Sequence, residues 1–291
     1  MWTWLGVPLA SFTILCVGFL VFFAAERIVP LRSPRSPLAR RLVVNACVSA
    51  LALATAYLVV TPAAMAALRE VSFRRIGLLQ WIAFPEAVEM GVGFLLMDLS
   101  FYYWHMANHK IPFLWRFHNV HHVDPDLDVS TAFRFHFGEV AFSAVFRVVQ
   151  IVLIGVTPIT FALYEIVFEL DTLFQHSNVR LPLGFERWLN KVLVTPRMHG
   201  VHHSDVWREN NANYSVVFSW WDRIHRTLRL NIAQARIVIG IPGYLDPANN
   251  VVGNVVVLPF RAQRDYWRTS DGTVVERSDS ETALPRNVMQ A

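Results

Sequence analysis

The chain opens on an unbroken apolar stretch. Residues 4–25 carry no charged side chain, and as a helix rising about 1.5 Å per residue they span about 33 Å, enough to cross the hydrocarbon core of a bilayer. Nothing basic precedes the stretch, and Glu26 and Arg27 close it without a small-x-small cleavage site, so it reads as a transmembrane helix and not as a cleaved leader. A linker with Arg27, Arg32, Arg35, Arg40 and Arg41, interleaved with Pro30, Pro34 and Pro37, leads to a second uncharged stretch at residues 42–68, in which Pro62 marks an end or a kink. The arginines of the linker place it in the cytosol and the amino terminus outside. Arg69, Arg74 and Arg75 then face outward, against the same rule.

Residues 86–104 form a third apolar stretch that contains Glu86, Glu89 and Asp98. Acids at membrane depth are functional suspects by default. Residues 140–168 are apolar again but are interrupted by Arg147, by a Gly155-Val-Thr-Pro158 turn and by Glu165, a pattern that fits a helical hairpin entering and leaving from the cytosolic side. Counting crossings puts residues 105–139 and everything after about residue 172 in one compartment, the cytosol. From Thr269 onward Ser, Asp, Glu and Arg dominate, as in a solvated tail. The expected fold class is all-α: a multi-pass integral membrane helical bundle with a cytosolic, histidine-rich metal-binding cap.

Composition agrees with a membrane environment. Hydrophobic residues make up 54% of the chain and charged residues only 16%, and the mean hydropathy is +0.35, outside the usual soluble balance. The net charge of +4 comes from basic residues lying mostly between and after the apolar stretches, which fits topology and anionic headgroups better than nucleic acid. Cys16 and Cys47 both lie inside apolar stretches, as small packing residues and not as a disulfide or metal pair.

All 11 histidines fall between His105 and His225. Three groups stand out: His105-Met-Ala-Asn-His109, His118-Asn-Val-His121-His122 and His199-Gly-Val-His202-His203, with His136 and His176 between them. On a helix, positions three or four apart share a face, so two imidazoles of one group reach one ion. The adjacent pairs in the second and third groups diverge by about 100°, so one group can serve two neighbouring ions. Left without partners, so many buried neutral bases would cost about 1–3 kcal/mol each. Imidazole suits zinc, copper, iron and nickel alike. The sequence has no His-Glu-x-x-His of a zinc protease and no Glu-x-x-His of a soluble di-iron bundle. Asp124, Asp126 and Asp128 imitate the start of a calcium loop, but Val129 and Phe135 stand where its glycine and closing glutamate belong.

Boxes of the form HxxxH, HxxHH and HxxHH resemble those of the fatty acid hydroxylase superfamily, also called the sterol desaturase family. The resemblance covers residues 98–227. Asp98 ahead of Tyr102-Tyr103-Trp104-His105, Arg134-Phe-His136-Phe-Gly-Glu139, Gln175-His176-Ser177-Asn178 and Thr195-Pro196-Arg197-Met198-His199 are similar to further elements of that family. So are Asn213-Tyr214-Ser215 and Trp221-Asp222-Arg223 with Thr227. Phe137 and Arg226 depart from the family pattern, where proline and glycine are usual, and every box histidine is kept.

The resemblance implies O2-dependent hydroxylation of a lipid (sterol, fatty acyl or related) drawn from the bilayer, on two Fe ions for which zinc can substitute in isolated protein. Desaturation or ether-lipid oxidation on the same centre, and a non-catalytic metal-binding or transport role, are the alternatives. It implies an external electron donor of ferredoxin or cytochrome type with its reductase, in keeping with the lack of a nicotinamide or flavin motif in the chain. The expected metal ligands are His105, His109, His118, His121, His122, His136, His176, His199, His202 and His203. Asp98, Glu139 and Asn178 are expected to support them, with Glu139 also a candidate ion-pair partner of Arg134. His225 reads as an ordinary polar residue. The expected organisation is a transmembrane hairpin with linkers at 1–85, a hydroxylase-like catalytic domain at 86–268 and a polar flexible tail at 269–291. The expected location is the bacterial inner membrane in a prokaryote or the endoplasmic reticulum in a eukaryote, with the boxes cytosolic.

Overall fold

The structure, a computed structural model, describes residues 6–277, so Trp4, Leu5 and the tail beyond residue 277 lie outside the described residues. Helices account for the regular structure: α1 Gly6–Ile28, α2 Leu38–Thr55, α3 Thr61–Arg74, α4 Glu86–Lys110, α5 Pro112–His122, α6 Phe137–Ile154, α7 Pro158–His176, α8 Leu183–Leu189, α9 Pro196–His202, α10 Trp207–Asn210, α11 Trp220–Ile224 and α12 Val252–Val257. Among the described residues there are isolated β-bridges but no strand.

Helices α2 and α3 run on as one rod through a π-helical turn at Ala56–Val60. Pro62 sits in the first turn of α3, so it does not end the helix. Its missing amide would break one rung of a regular α-ladder, and the looser π turn just before it takes up the mismatch. Helix α4 places Glu86 and Glu89 in its first turn, where the helix dipole favours them.

Helices α6 and α7 are joined by the tight turn expected at residues 155–158, and each packs on α4. Gly155 ends α6 at φ 77°, Thr157 caps α7 by accepting the Thr160 N–H, and Pro158 opens it. The turn is pressed against Gly77, and a Cβ added at Gly77 would lie 2.4 Å from the Gly155 Cα. Leu68, Val71, Met97, Ile151 and Tyr164 close the core between α3, α4, α6 and α7.

Among the described residues, the Leu38–Gln80 and Phe137–Ile154 segments are long and apolar enough to cross a membrane. Large apolar side chains point outward around the bundle, including Phe12, Leu20, Leu58, Val145 and Leu153. The acids that imitate a calcium loop hold arginine and backbone instead. Arg41 of α2 binds both Asp124 oxygens, at 2.8 and 2.9 Å, and Asp128 at 2.7 Å, while Asp126 accepts the Arg35 and Ser36 amides. Residues 269–277 fold back on the molecule: Arg268 and Val274 form a bridge, and Arg277 pairs with Glu209 at 2.6 Å.

Candidate metal centre

Helices α4, α5, α7 and α9 meet at their carboxyl-terminal ends, and nine histidines converge there. His105, His109, His118, His122 and His202 form one group, and His121, His176, His199 and His203 the other. Within each group the ligand atoms all lie within 4.8 Å of one another. The partition follows helix periodicity. Pairs four apart stay together: His105 with His109, His118 with His122, and His199 with His203. Adjacent residues part, His121 from His122 and His202 from His203, as a 100° step requires.

The ring nitrogens face one another edge to edge. In the second group, Nε2 of His176 lies 3.0 Å from that of His121 and 2.9 Å from that of His199, and the His199 and His203 Nε2 atoms are 3.0 Å apart. In the first group the His118 and His122 Nε2 atoms are 3.2 Å apart. Neighbouring ligands about 2.1 Å from a shared ion at right angles would be about 3 Å apart.

The chemistry of the outer nitrogens decides what those inner ones are. His176 Nδ1 donates to the Thr172 carbonyl at 2.7 Å, His105 Nδ1 to the Tyr214 carbonyl at 2.8 Å and His202 Nδ1 to the Ala212 carbonyl at 2.7 Å. A carbonyl only accepts, so each of these rings has its proton at Nδ1 and turns a bare Nε2 lone pair inward. His118 Nδ1 is 2.8 Å from Glu139 Oε1, and His122 Nδ1 is 3.2 Å from the Asn210 side chain. Both nitrogens of His109, and Nε2 of His202, are buried without a hydrogen-bond partner among the described residues. Lone pairs aimed at one another in a buried space fit a cation at their centre, and the donor set fits an imidazole-preferring metal. Burial, reinforced by the crowding of neighbouring imidazoles, drives His121, His122, His199 and His203 well below the usual histidine range, and burial takes His202 to about 3. All five are thereby kept in the neutral form that binds metal.

The loop after α9 is built to present two of those carbonyls. Asp222 accepts the Tyr214 and Ser215 amides, both at 2.9 Å, and the Thr227 hydroxyl at 2.6 Å. Asn213, at φ 56°, donates to the Met198 and Arg229 carbonyls and turns the chain between Ala212 and Tyr214. Asp98 of α4 anchors the next segment, accepting from Val217 N, Phe218 N and, at 2.7 Å, Trp221 Nε1, and touches no imidazole of the two groups.

Three expectations come out differently in the structure: the ligand role of His136, the supporting role of Asn178 and the pairing of Glu139 with Arg134. His136 joins neither group: its Nδ1 accepts the Gly138 amide and caps α6, and its Nε2 donates to the Val256 carbonyl. Glu139 is directed at His118, while Arg134 binds Asn45, Asn250 and the Val120 carbonyl. Asn178 lies at the linker, exchanging hydrogen bonds with both backbone groups of Arg32. His225 is held by the Tyr103 hydroxyl and the Trp221 carbonyl. Sequence reasoning did not find Asn210, Thr172 or the Ala212 and Tyr214 carbonyls as partners of the box histidines. A backbone carbonyl carries no signal in residue identity.

A cavity of about 200 Å³ reaches the histidines. His105, His118, His121, His176 and His199 line it, together with Phe101, Trp104, Val140 and Phe168. Ala52, Leu53, Ala56 and Val60, in and just before the π turn, line it as well.

Residues 90–227 match the family model for fatty acid hydroxylase. Ornithine lipid hydroxylase OlsE of Rhizobium tropici is 31% identical over 56% of this chain and 48% of its own length. Cholesterol 25-hydroxylase of Homo sapiens is 30% identical over 49% of this chain and 52% of its own. Alkylglycerol monooxygenase of Xenopus tropicalis is 30% identical over 46% of this chain and 29% of its own. The chain thus spans about half the length, or less, of the curated relatives it matches. No solved structure matches it.

Proposed function

From the premise that residues 90–227 form a fatty acid hydroxylase domain, we propose that this protein is a membrane-bound, non-haem di-iron monooxygenase that hydroxylates a lipid. The observation that carries the reading is the division of nine buried histidines into two adjacent groups with bare lone pairs turned inward. We assign His105, His109, His118, His122 and His202 to one ion and His121, His176, His199 and His203 to the other. The names of the relatives, hydroxylases and a monooxygenase of lipids, support oxygen insertion as the reaction.

Bound iron would supply the reductive activation of O2 that an unactivated C–H bond requires. The chain's own residues do the rest. Thr172, Ala212 and Tyr214 fix three imidazoles through their carbonyls, and Glu139 fixes His118. Phe135 stacks on His121 at 4.6 Å between ring centres, and with Phe101, Trp104 and Phe168 it keeps the reacting end of the cavity apolar and water-poor. The lipid would enter sideways past Leu53 and Ala56. A cavity leading to the histidines favours chemistry on a bound molecule over metal storage or transport.

The outward apolar side chains of α1, α2 and α6 and the two long apolar segments support a multi-pass membrane protein. The basic linker at residues 27–41 supports histidines facing the cytosol, in the inner membrane of a bacterium or the endoplasmic reticulum of a eukaryote. Electrons would come from a separate ferredoxin- or cytochrome-type carrier with its reductase.

Metal analysis of the purified protein tests the centre. Two ions per chain are expected, with His121→Ala and His202→Ala each losing one. Fewer than two ions, or ions indifferent to both substitutions, would reject the assignment. Lipid mass spectrometry under labelled dioxygen tests the reaction. One labelled oxygen retained in an alcohol is expected, and loss of two hydrogens without oxygen gain would mean desaturation.

A further inference from the structure

The cavity at the histidines also holds three charged side chains that the metal chemistry does not use: Arg147 of α6 and Glu165 and Glu169 of α7. Arg147 is fully engaged. Its guanidinium pairs with Glu165 at 2.8 Å, donates to Gln150 Oε1 at 2.8 Å and lies over the Phe101 and Phe168 rings at 5.1 and 5.5 Å. Gln150 is fixed in turn by the Met97 carbonyl and the Ser100 hydroxyl. Glu169 has no hydrogen bond or ion pair of its own among the described residues, although it lines the same cavity. Arg147, the cation that acts on Glu169, is already paired with Glu165, and a half-buried acid left without a hydrogen-bond donor gains from one brought by a ligand.

The placement is regular. Glu165, Glu169, Thr172 and His176 are spaced four, three and four along α7, and all four line the cavity. They form one stripe on one face. His176 belongs to a histidine group, and Glu169 lies seven residues before it, about 10 Å along the helix axis. The three charged groups together leave one excess negative charge if all are ionised, which favours a hydrogen-bond donor and repels a carboxylate or phosphate.

We propose that Glu169 receives a hydrogen-bond-donating polar group of the lipid, an alcohol or an ammonium, and so determines which carbon, about 10 Å further along the molecule, lies at the histidines. This makes Glu169 a specificity-determining residue, and it rests on reading the cavity as the substrate pocket. Phe101, Trp104 and Phe168, which line the same cavity, would hold the intervening hydrocarbon.

The test is equilibrium binding of tritiated 1-hexadecanol, hexadecylamine and hexadecanoate to the purified full chain in an amphipathic polymer, with metal content measured on the same samples. The alcohol and the amine are expected to bind at least tenfold tighter than the acid. Glu169→Leu is expected to bring all three together with metal content unchanged. Glu169→Gln, which keeps the shape and one acceptor oxygen, is expected to retain the alcohol and weaken the amine at least tenfold. Equal affinity for the three ligands, tighter binding of the acid, or a preference that survives Glu169→Leu would overturn the proposal. Binding is read without turnover, so failure to oxidise any lipid counts against the reaction, and failure to discriminate counts against Glu169 alone.

Discussion

His118 Nδ1 and Glu139 Oε1 stand 2.8 Å apart, joining the second histidine box to the first turn of α6. A carboxylate on the outer nitrogen fixes the ring and makes its inner nitrogen a better donor. Glu139→Gln should therefore weaken metal binding in the group containing His118 about tenfold to a hundredfold, and leave the group containing His176 close to its original affinity. Titration against a competing chelator, following the two ions separately, checks this. Equal loss from both groups would mean that Glu139 acts by holding the fold.

His136 provides the contrasting case. Both of its nitrogens are engaged by Gly138 and Val256, so His136→Ala should leave two ions bound and cost about 1 kcal/mol through the lost helix cap. Metal content together with a thermal melt in detergent separates these effects, and loss of an ion would restore His136 to the ligand set.

Asp98 ties α4 to the segment that follows the Tyr214 loop through Val217, Phe218 and Trp221. Asp98→Ala leaves two amides and an indole N–H without their acceptor in a buried place, at a cost of about 3 kcal/mol or more. The expected result is a lower melting temperature, with metal affinity lost in step with stability and not ahead of it. A stable variant lacking metal would give Asp98 a direct part in the centre.

Arg41 bonds Asp124 at 2.8 and 2.9 Å and Asp128 at 2.7 Å, all within the buried turn after α5. Arg41→Ala strands two buried carboxylates and should cost about 3–5 kcal/mol. The double variant Arg41→Met with Asp124→Asn should recover part of that loss. Unfolding midpoints of the single and double variants measure the difference, and equal loss in both would show that the arginine acts only by packing.

Much of the site is legible in the spacing of its histidines. The four-residue interval inside each box and the divergence of neighbouring histidines are local properties of a helix, and they are the geometry by which the two groups form. What stays hidden in the sequence depends on contacts across long stretches of chain. Glu139 and Arg134 are close in sequence, which suggests a pair, yet His136 caps α6 between them, and each finds a partner elsewhere. The aspartates after α5 read as a failed calcium loop because their cation, Arg41, comes from more than eighty positions earlier. Pro62 reads as an end or a kink because a proline says nothing about whether a neighbouring turn can widen to accommodate it.

His121 and His122, like His202 and His203, are joined by a single peptide bond and yet serve different groups. Four of the nine rings are thus paired through the main chain, and any shift that seats one ion carries along the backbone that holds rings for the other. Seating the first ion should therefore favour seating the second, while loss of a single ligand, which leaves the shared peptides intact, should empty its own seat first.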